Sequence, residues 1–255
     1  MATPPDLATF GDTTRNYPSD SVNLPIVVRE PAGAPPYPLI LFNHGSAGMM
    51  EIYRRGLDAL VDAGFALAAP VRRGHNAQPG VYWEDRVTAE WGSDEMGAQL
   101  VAALHDESRD VVAAYQALRS EQARFDWDRV AIVGSSFGSV VSVMAAPTLT
   151  ETRAVVSFAG PSQTWPDSAA LRALVCDALT QLTVPILLMQ AHNDHHLATI
   201  YDMGHALAAG EREHELRVYP TIGVHPLQGH GLFGNSVDLW AEDVARFLRR
   251  WLPAE

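Results

Sequence analysis

The sequence predicts an α/β protein built on a mostly parallel, doubly wound sheet of about eight strands, with helices on both faces. Short runs rich in Val, Ile, Leu and Phe alternate along the chain with longer segments of helical periodicity. Most of the short runs are apolar throughout, which is typical of strands that are covered by helices on both faces. Regular alternation of strand and helix favours βαβ units and therefore a parallel sheet.

Seven strands and six helices follow from this pattern. The predicted strands are 23–30, 37–44, 64–70, 129–134, 153–159, 184–191 and 215–220. The predicted helices are 52–62, 97–120, 137–146, 169–181, 197–209 and 236–251. The stretch 81–96 is aromatic and acidic without a clean period, so we expect an excursion near a binding edge. No repeat or linker divides the chain, and a single domain over residues 1–255 is the expectation.

Composition excludes several classes of partner. The formal charge of −12 argues against nucleic acid and anionic membranes, because both require basic patches. The single cysteine, Cys176, excludes an internal disulfide. The first residues lack a basic start followed by an apolar run, and no stretch reaches the roughly 18 apolar residues of a membrane span. We therefore expect a soluble cytoplasmic protein, unless a signal was removed, and the oligomeric state is unknown.

The segment Gly134-Ser135-Ser136-Phe137-Gly138 lies between a predicted strand and a predicted helix. This is the position of a G-x-S-x-G nucleophile elbow, in which a sharp turn exposes the serine and flanking glycines avoid collisions. The spacing makes Ser136 the candidate nucleophile. The alternative is a plain glycine turn between a core strand and a helix.

A serine hydroxyl needs a base and an orienting acid, expected in the order Ser, Asp or Glu, His. Asp194 follows strand 184–191 and is the candidate acid, with capping of the next helix as its alternative role. The neighbouring histidines leave a metal site open as a minor alternative. His230, between two glycines and before the last helix, is the favoured base, and His225 is the alternative.

Two backbone amides are predicted to stabilise an oxyanion. One belongs to Phe137, directly after the candidate nucleophile. The other belongs to Ser46, in the His44-Gly45-Ser46 turn after strand 37–44. The same glycines could instead only form a turn. The remaining histidines, His75 among them, are expected at the surface.

Together these motifs resemble the α/β-hydrolase family over nearly the whole chain. "FDWDRVAIVGSSFG" and "VHPLQGHGLF" are similar to its dienelactone-hydrolase-like branch, which grades into prolyl-oligopeptidase-type peptidases. The resemblance implies an eight-stranded fold with a Ser, Asp and His triad. Dienelactone hydrolases proper carry a cysteine nucleophile, whereas this elbow holds Ser136, and Cys176 lies far along the chain.

The sequence therefore predicts a serine hydrolase that cleaves a small carboxylic ester or lactone through an acyl-enzyme, without a cofactor or metal. Only residues 160–183 separate strands 153–159 and 184–191, where relatives with large lids carry a helical cap. We therefore expect a short or absent lid. A peptidase or acyltransferase using the same triad remains an alternative, and so does a binding protein that keeps the fold without catalysis. Trp165, Tyr82, Trp83 and Trp91 are candidates for the wall of an apolar pocket, although aromatic residues are also ordinary packing material.

Overall fold

The computed structural model describes residues 6–121 and 123–253, and its centre is one eight-stranded sheet with the order β1-β2-β4-β3-β5-β6-β7-β8. The strands are β1 (Thr13–Ser19), β2 (Val22–Arg29), β3 (Tyr37–Asn43), β4 (Ala66–Pro70), β5 (Phe125–Ser135), β6 (Thr152–Phe158), β7 (Ile186–Ala191) and β8 (His214–Tyr219). The pairs β1/β2 and β2/β4 are antiparallel. All other neighbours are parallel, so the carboxyl ends of β3 to β8 meet at one edge.

Helices connect the parallel strands. They are α1 (Arg54–Asp62), α2 (Trp83–Arg86), α3 (Asp94–Leu118), α4 (Phe137–Ala145), α5 (Ala169–Gln181), α6 (Ala198–Ala209), α7 (Pro226–His230), α8 (Leu232–Asn235) and α9 (Val237–Trp251). Within the two described ranges, no helix combines the length and the apolar character that crossing a bilayer would require.

Both faces of the sheet are covered, and the side-chain alternation of β3 illustrates the arrangement. Leu39 and Leu41 belong to the core that α3 to α6 cover. Ile40 and Phe42 face the opposite core, which is closed by α1, α8 and α9. All four side chains are fully buried, which explains why this strand is apolar throughout rather than alternating. The predicted fold class is confirmed.

Three local predictions differ from the structure. The polar strand β1 was not predicted, because it is an edge strand with mostly exposed side chains and a proline at position 18. The stretch 81–96 contains the short helix α2 and the first turn of α3, whose N-terminus is capped by Ser93. The segment before the last helix, predicted as a loop, forms α7 and α8.

Candidate active site

Ser136 occupies the tight turn between β5 and α4. Its φ of 56° and ψ of −124° are strained for a residue with a side chain. The backbone amide of Ser136 donates to the carbonyl of Phe158 on the neighbouring strand β6, at 2.9 Å, and this bond helps to hold the turn. The strained conformation presents the hydroxyl at the carboxyl edge of the sheet.

The glycines on either side of this turn are required by close backbone contacts. A Cβ at Gly134 would overlap the carbonyl of Gly138, and a Cβ at Gly138 would overlap the carbonyl of Asn43 on β3. Helix α4 can therefore approach the sheet only because both positions lack a side chain. The spacing noted in the sequence has a steric cause.

His230 and Asp194 lie beside Ser136 although the three residues are far apart in sequence. His230 Nε2 is 2.9 Å from Ser136 Oγ, and His230 Nδ1 is 2.9 Å from Asp194 Oδ1. The Asp194 side chain is fully buried and that of His230 is 15% exposed. A chain of hydrogen-bonding distances thus runs from a buried carboxylate through an imidazole to a serine hydroxyl.

Ser162, in the connection between β6 and α5, joins this chain and was missed by the sequence analysis. Its Oγ donates to Asp194 Oδ1 at 2.6 Å and lies 3.1 Å from His230 Nδ1. The same carboxylate oxygen accepts from the backbone amide of His195 at 2.7 Å. Ser162 is completely buried. No local motif marks this serine, so only its contacts identify it.

The other histidines near the site have different surroundings. His225 is exposed and caps α7, where its Nδ1 accepts from the amide of Leu227 at 3.2 Å. The His195 ring packs against that of His230 with centroids 5.5 Å apart. Burial, followed by the nearby His230, lowers the pKa of His195. Among the residues that the structure describes, no three His, Cys, Asp or Glu side chains are grouped to hold a metal ion.

The turn after β3 lies against Ser136, and a buried arginine donates hydrogen bonds to its backbone carbonyls. Arg72 Nη2 donates to the carbonyls of His44, at 2.8 Å, and Gly45, at 3.3 Å. Its Nε donates to the buried Glu107 at 2.7 Å. In a trans peptide the carbonyl and the next amide point in opposite directions, so the amide of Ser46 points away from Arg72.

The amide of Phe137 is the second predicted donor. Phe137 is the first residue of α4, and the first amides of a helix have no partner within the helix. The positive end of the helix dipole also lies there. Both Ser46 and Phe137 line a cavity that reaches Ser136.

Three side chains surround the carbonyl oxygen of Ser46. The Tyr82 hydroxyl donates to it at 2.8 Å and the Trp83 indole at 3.1 Å, while His75 Nε2 lies 3.1 Å away. The surface position predicted for His75 is wrong, because its side chain is only 1% exposed. Tyr82 and Trp83 belong to the stretch 81–96, so this predicted excursion supports the turn after β3.

Two cavities meet at Ser136. The indole cavity, about 240 Å³, includes Trp83, Val87 and Trp91 in its lining. The histidine cavity, about 440 Å³, includes His230, Ile52 and Leu227. Trp165, another predicted wall residue, is instead buried at 3% exposure, and its indole donates to Asp202.

Comparison with solved structures supports the fold at low sequence identity. An acylaminoacyl peptidase of Pyrococcus horikoshii superposes with a TM-score of 0.71 at 17% identity, over 95% of this chain and 42% of that chain. A Pyrococcus furiosus esterase gives 0.70 at 17%, over 99% and 95% of the two chains. Est1E from Butyrivibrio proteoclasticus, solved with ferulic acid, gives 0.68 at 16%, over 94% and 100%.

The present chain thus spans less than half the length of the peptidase but nearly the whole of both other proteins. No curated protein matches the sequence. A family model described as "Dienelactone hydrolase family" matches residues 24–231, well over half of the chain. The resemblance inferred from the elbow and the histidine motif is confirmed on this basis: the chain belongs to the dienelactone hydrolase family.

Proposed function

We propose that the protein is a serine hydrolase that cleaves a carboxylic ester through an acyl-enzyme intermediate. The observation that carries this proposal is the continuous path from Asp194 through His230 to Ser136, with 2.9 Å at each of its two steps. These distances are those required of an acid, a base and a nucleophile that act as a unit.

In the first half-reaction Ser136 Oγ attacks the ester carbonyl while His230 Nε2 takes the hydroxyl proton. Asp194 holds the imidazole by its Nδ1 and stabilises the imidazolium that forms. The amides of Ser46 and Phe137 donate to the oxyanion. His230 then passes its proton to the departing alcohol, which leaves an acyl group on Ser136.

In the second half-reaction a water molecule replaces the alcohol. His230 removes a proton from this water, and the resulting attack on the acyl group forms a second tetrahedral intermediate. Collapse of that intermediate releases a carboxylic acid and returns the proton to Ser136. The two cavities beside Ser136, about 240 and 440 Å³, favour a small ester or lactone over a long lipid.

Covalent labelling by a fluorophosphonate, detected by intact mass, tests this proposal directly. We expect one label on the wild-type protein, none on Ser136→Ala, and labelling of His230→Ala that is slower by about three orders of magnitude or more. His225→Asn is the matched control: it removes this imidazole, which lies outside the path, but keeps a residue that can cap α7, so labelling should stay intact.

Absence of labelling in the folded wild type would contradict the proposal. Product analysis with an ester, the corresponding amide and a competing alcohol then identifies the reaction. We expect the carboxylic acid as the main product from the ester. A new ester formed with the added alcohol would indicate an acyltransferase, and faster cleavage of the amide a peptidase.

A further inference from the structure

The two cavities meet at the candidate nucleophile but differ in which catalytic groups they contain. Ser46, Ser136 and Gln163 line both cavities. His230 lines only the histidine cavity, whereas Phe137 lines only the indole cavity. The base therefore borders the histidine cavity, and one of the two proposed oxyanion donors borders the indole cavity.

This difference between the cavities fixes which end of the bound ester lies in each of them. When the tetrahedral intermediate collapses, the departing oxygen must receive the proton held on His230 Nε2, so the alcohol must lie on the His230 side. The oxyanion occupies the position facing the two amides. The one remaining substituent of the former carbonyl carbon is the acyl chain, and the space left for it is the indole cavity.

We propose that the indole cavity is the acyl pocket and selects a flat aromatic acyl group without negative charge, while the histidine cavity receives the alcohol. This inference rests on the proposed ester hydrolysis and assigns its substrate class. The smaller acyl cavity, about 240 Å³, suits a single ring on a short linker, and the alcohol cavity, about 440 Å³, tolerates larger groups.

Trp91 is the main reason for the aromatic assignment. This residue lines the indole cavity and is 52% exposed, so part of its indole is open to a bound group. Its Nε1 donates to Asp167 Oδ2 at 2.8 Å, so the exposed ring is tethered. A pre-positioned ring that loses little freedom on binding offers a face for stacking against a flat group.

The charge around the indole cavity disfavours anions. Glu84 lines this cavity and is exposed, and within the described ranges it has no ion-pair or hydrogen-bond partner. Every Lys or Arg position in the chain is an arginine, and none of them is among the described residues that line either cavity. A carboxylate on the acyl group would therefore face Glu84 without a compensating cation.

Two isomeric esters test the direction of binding. Methyl phenylacetate places the ring on the acyl side, and benzyl acetate places it on the alcohol side. Val87→Phe fills the indole cavity, and its matched variant Leu227→Phe fills the histidine cavity. We expect Val87→Phe to lower kcat/KM for methyl phenylacetate about tenfold with benzyl acetate little changed, and Leu227→Phe to do the reverse.

Trp91→Ala provides a second variant, at a position that is 52% exposed. This variant should also lower kcat/KM for methyl phenylacetate while leaving kcat/KM for benzyl acetate little changed. Exchange of the two patterns, or equal losses on both esters, would overturn the assignment. Fluorophosphonate labelling of each variant separates the two proposals: labelling with the wrong selectivity rejects only the pocket assignment, and an unlabelled wild type rejects the hydrolase and this inference together.

Charge is tested with methyl phenylacetates that carry a para aminomethyl or a para carboxylate group. The wild type should prefer the cationic ester, and Glu84→Gln should reduce the ratio of the two kcat/KM values about threefold or more. Gln preserves the size of the side chain, so the comparison isolates its charge. A wild type that prefers the carboxylate, or an unchanged ratio in the variant, would overturn the charge selectivity.

Discussion

Ser162 contacts both Asp194, the proposed orienting acid, and His230, the proposed base. It donates to the Asp194 oxygen that His230 also faces, so three groups converge on one buried carboxylate oxygen when the His195 amide is included. Hydrogen bonds to a charged acceptor are strong, and this one also restricts the direction in which the carboxylate points. We therefore assign Ser162 as a positioning residue.

Replacing Ser162 by alanine should slow acylation. A hydrogen bond to a charged group contributes about 1.5 to 3 kcal/mol, which corresponds to a loss of roughly ten- to a hundredfold in kcat/KM if it acts fully on catalysis. The expected signature is a lower kcat with little change in KM, measured with a soluble ester, and a matching decrease in the rate of fluorophosphonate labelling.

Ser168→Ala is the matched control for this prediction. Ser168 is a buried serine in the same β6 to α5 connection, and it caps α5 by accepting from the amide of Leu171 at 3.1 Å. Its removal should lower the free energy of unfolding by about 1 kcal/mol without slowing acylation. Equal rate losses in both variants would show that Ser162 matters only for stability.

At the scale of elements, the chain between β4 and α3 acts as a support for the turn after β3. Tyr82 and Trp83 both donate to the carbonyl of Ser46, and Arg72 holds the preceding carbonyl of Gly45. The peptide that contains the Ser46 amide is thereby fixed from both neighbouring carbonyls. Fixed dipoles stabilise an oxyanion better than mobile ones, because they need no reorganisation during the reaction.

Tyr82→Phe should loosen this support without removing a proposed catalytic group. Loss of one neutral hydrogen bond is worth about 1 kcal/mol, so we expect kcat to fall about fivefold and the thermal midpoint to fall by only about 2 to 4 °C. Burial raises the pKa of Tyr82, which keeps the hydroxyl protonated as a donor across the assay range.

Tyr115→Phe is the corresponding control. Tyr115 lies on α3, its hydroxyl donates to Glu151, and it does not line either described cavity. Its activity should equal that of the wild type. If both tyrosine variants lose activity alike, or Tyr82→Phe loses none, the proposed support of the Ser46 peptide is wrong.

For the whole molecule, the buried polar cluster beneath the site makes stability depend on pH. His44 and His75 are at most 1% exposed, and their rings lie 4.7 Å apart. Burial, with the charge of Arg72 acting in the same direction, lowers the pKa of His44 well below its usual 6.5. Burial also lowers the pKa of His75, against the opposing effect of Glu107.

The sign of the effect follows from proton binding. Below about pH 6.5 the unfolded histidines take up protons while the buried ones stay neutral, so acid favours the unfolded chain. The stability is fully present above about pH 6.5 and decreases as the pH falls toward the folded-state values, by up to about 1.4 kcal/mol per pH unit for each histidine.

Urea unfolding at pH 7.5, 6.0 and 5.0 measures this dependence. The wild-type midpoint should decrease steadily over this range, and His75→Asn should have a shallower dependence, since one titrating group is removed. A midpoint that is constant from pH 7.5 to 5.0 would contradict the prediction. The range lies above the usual pKa values of carboxylates, so most of their titration is avoided.

Most of the fold could be predicted from the sequence because strands that are buried on both faces appear as continuous apolar runs. The strands β2 to β7 are apolar runs or contain them, whereas β8 alternates polar and apolar residues. The main helices differ from prediction by only a few residues at their ends. Strand β1 was missed for the opposite reason: as an exposed edge strand it has no apolar run. Helix α7 was missed because it has only five residues, so its sequence shows no helical periodicity, and its stability depends on the cap at His225.

The sequence by itself determined the fold class and predicted the three residues that the structure places in line at the sheet edge, Ser136, Asp194 and His230. Each follows a recognisable strand, and parallel strands bring their carboxyl ends together. Only the tertiary structure decided what holds these residues: the Ser162 contact, the donors around the Ser46 carbonyl, and the buried Arg72–Glu107 pair. Periodicity records whether a side chain is buried, whereas such contacts join residues tens of positions apart and leave no local pattern.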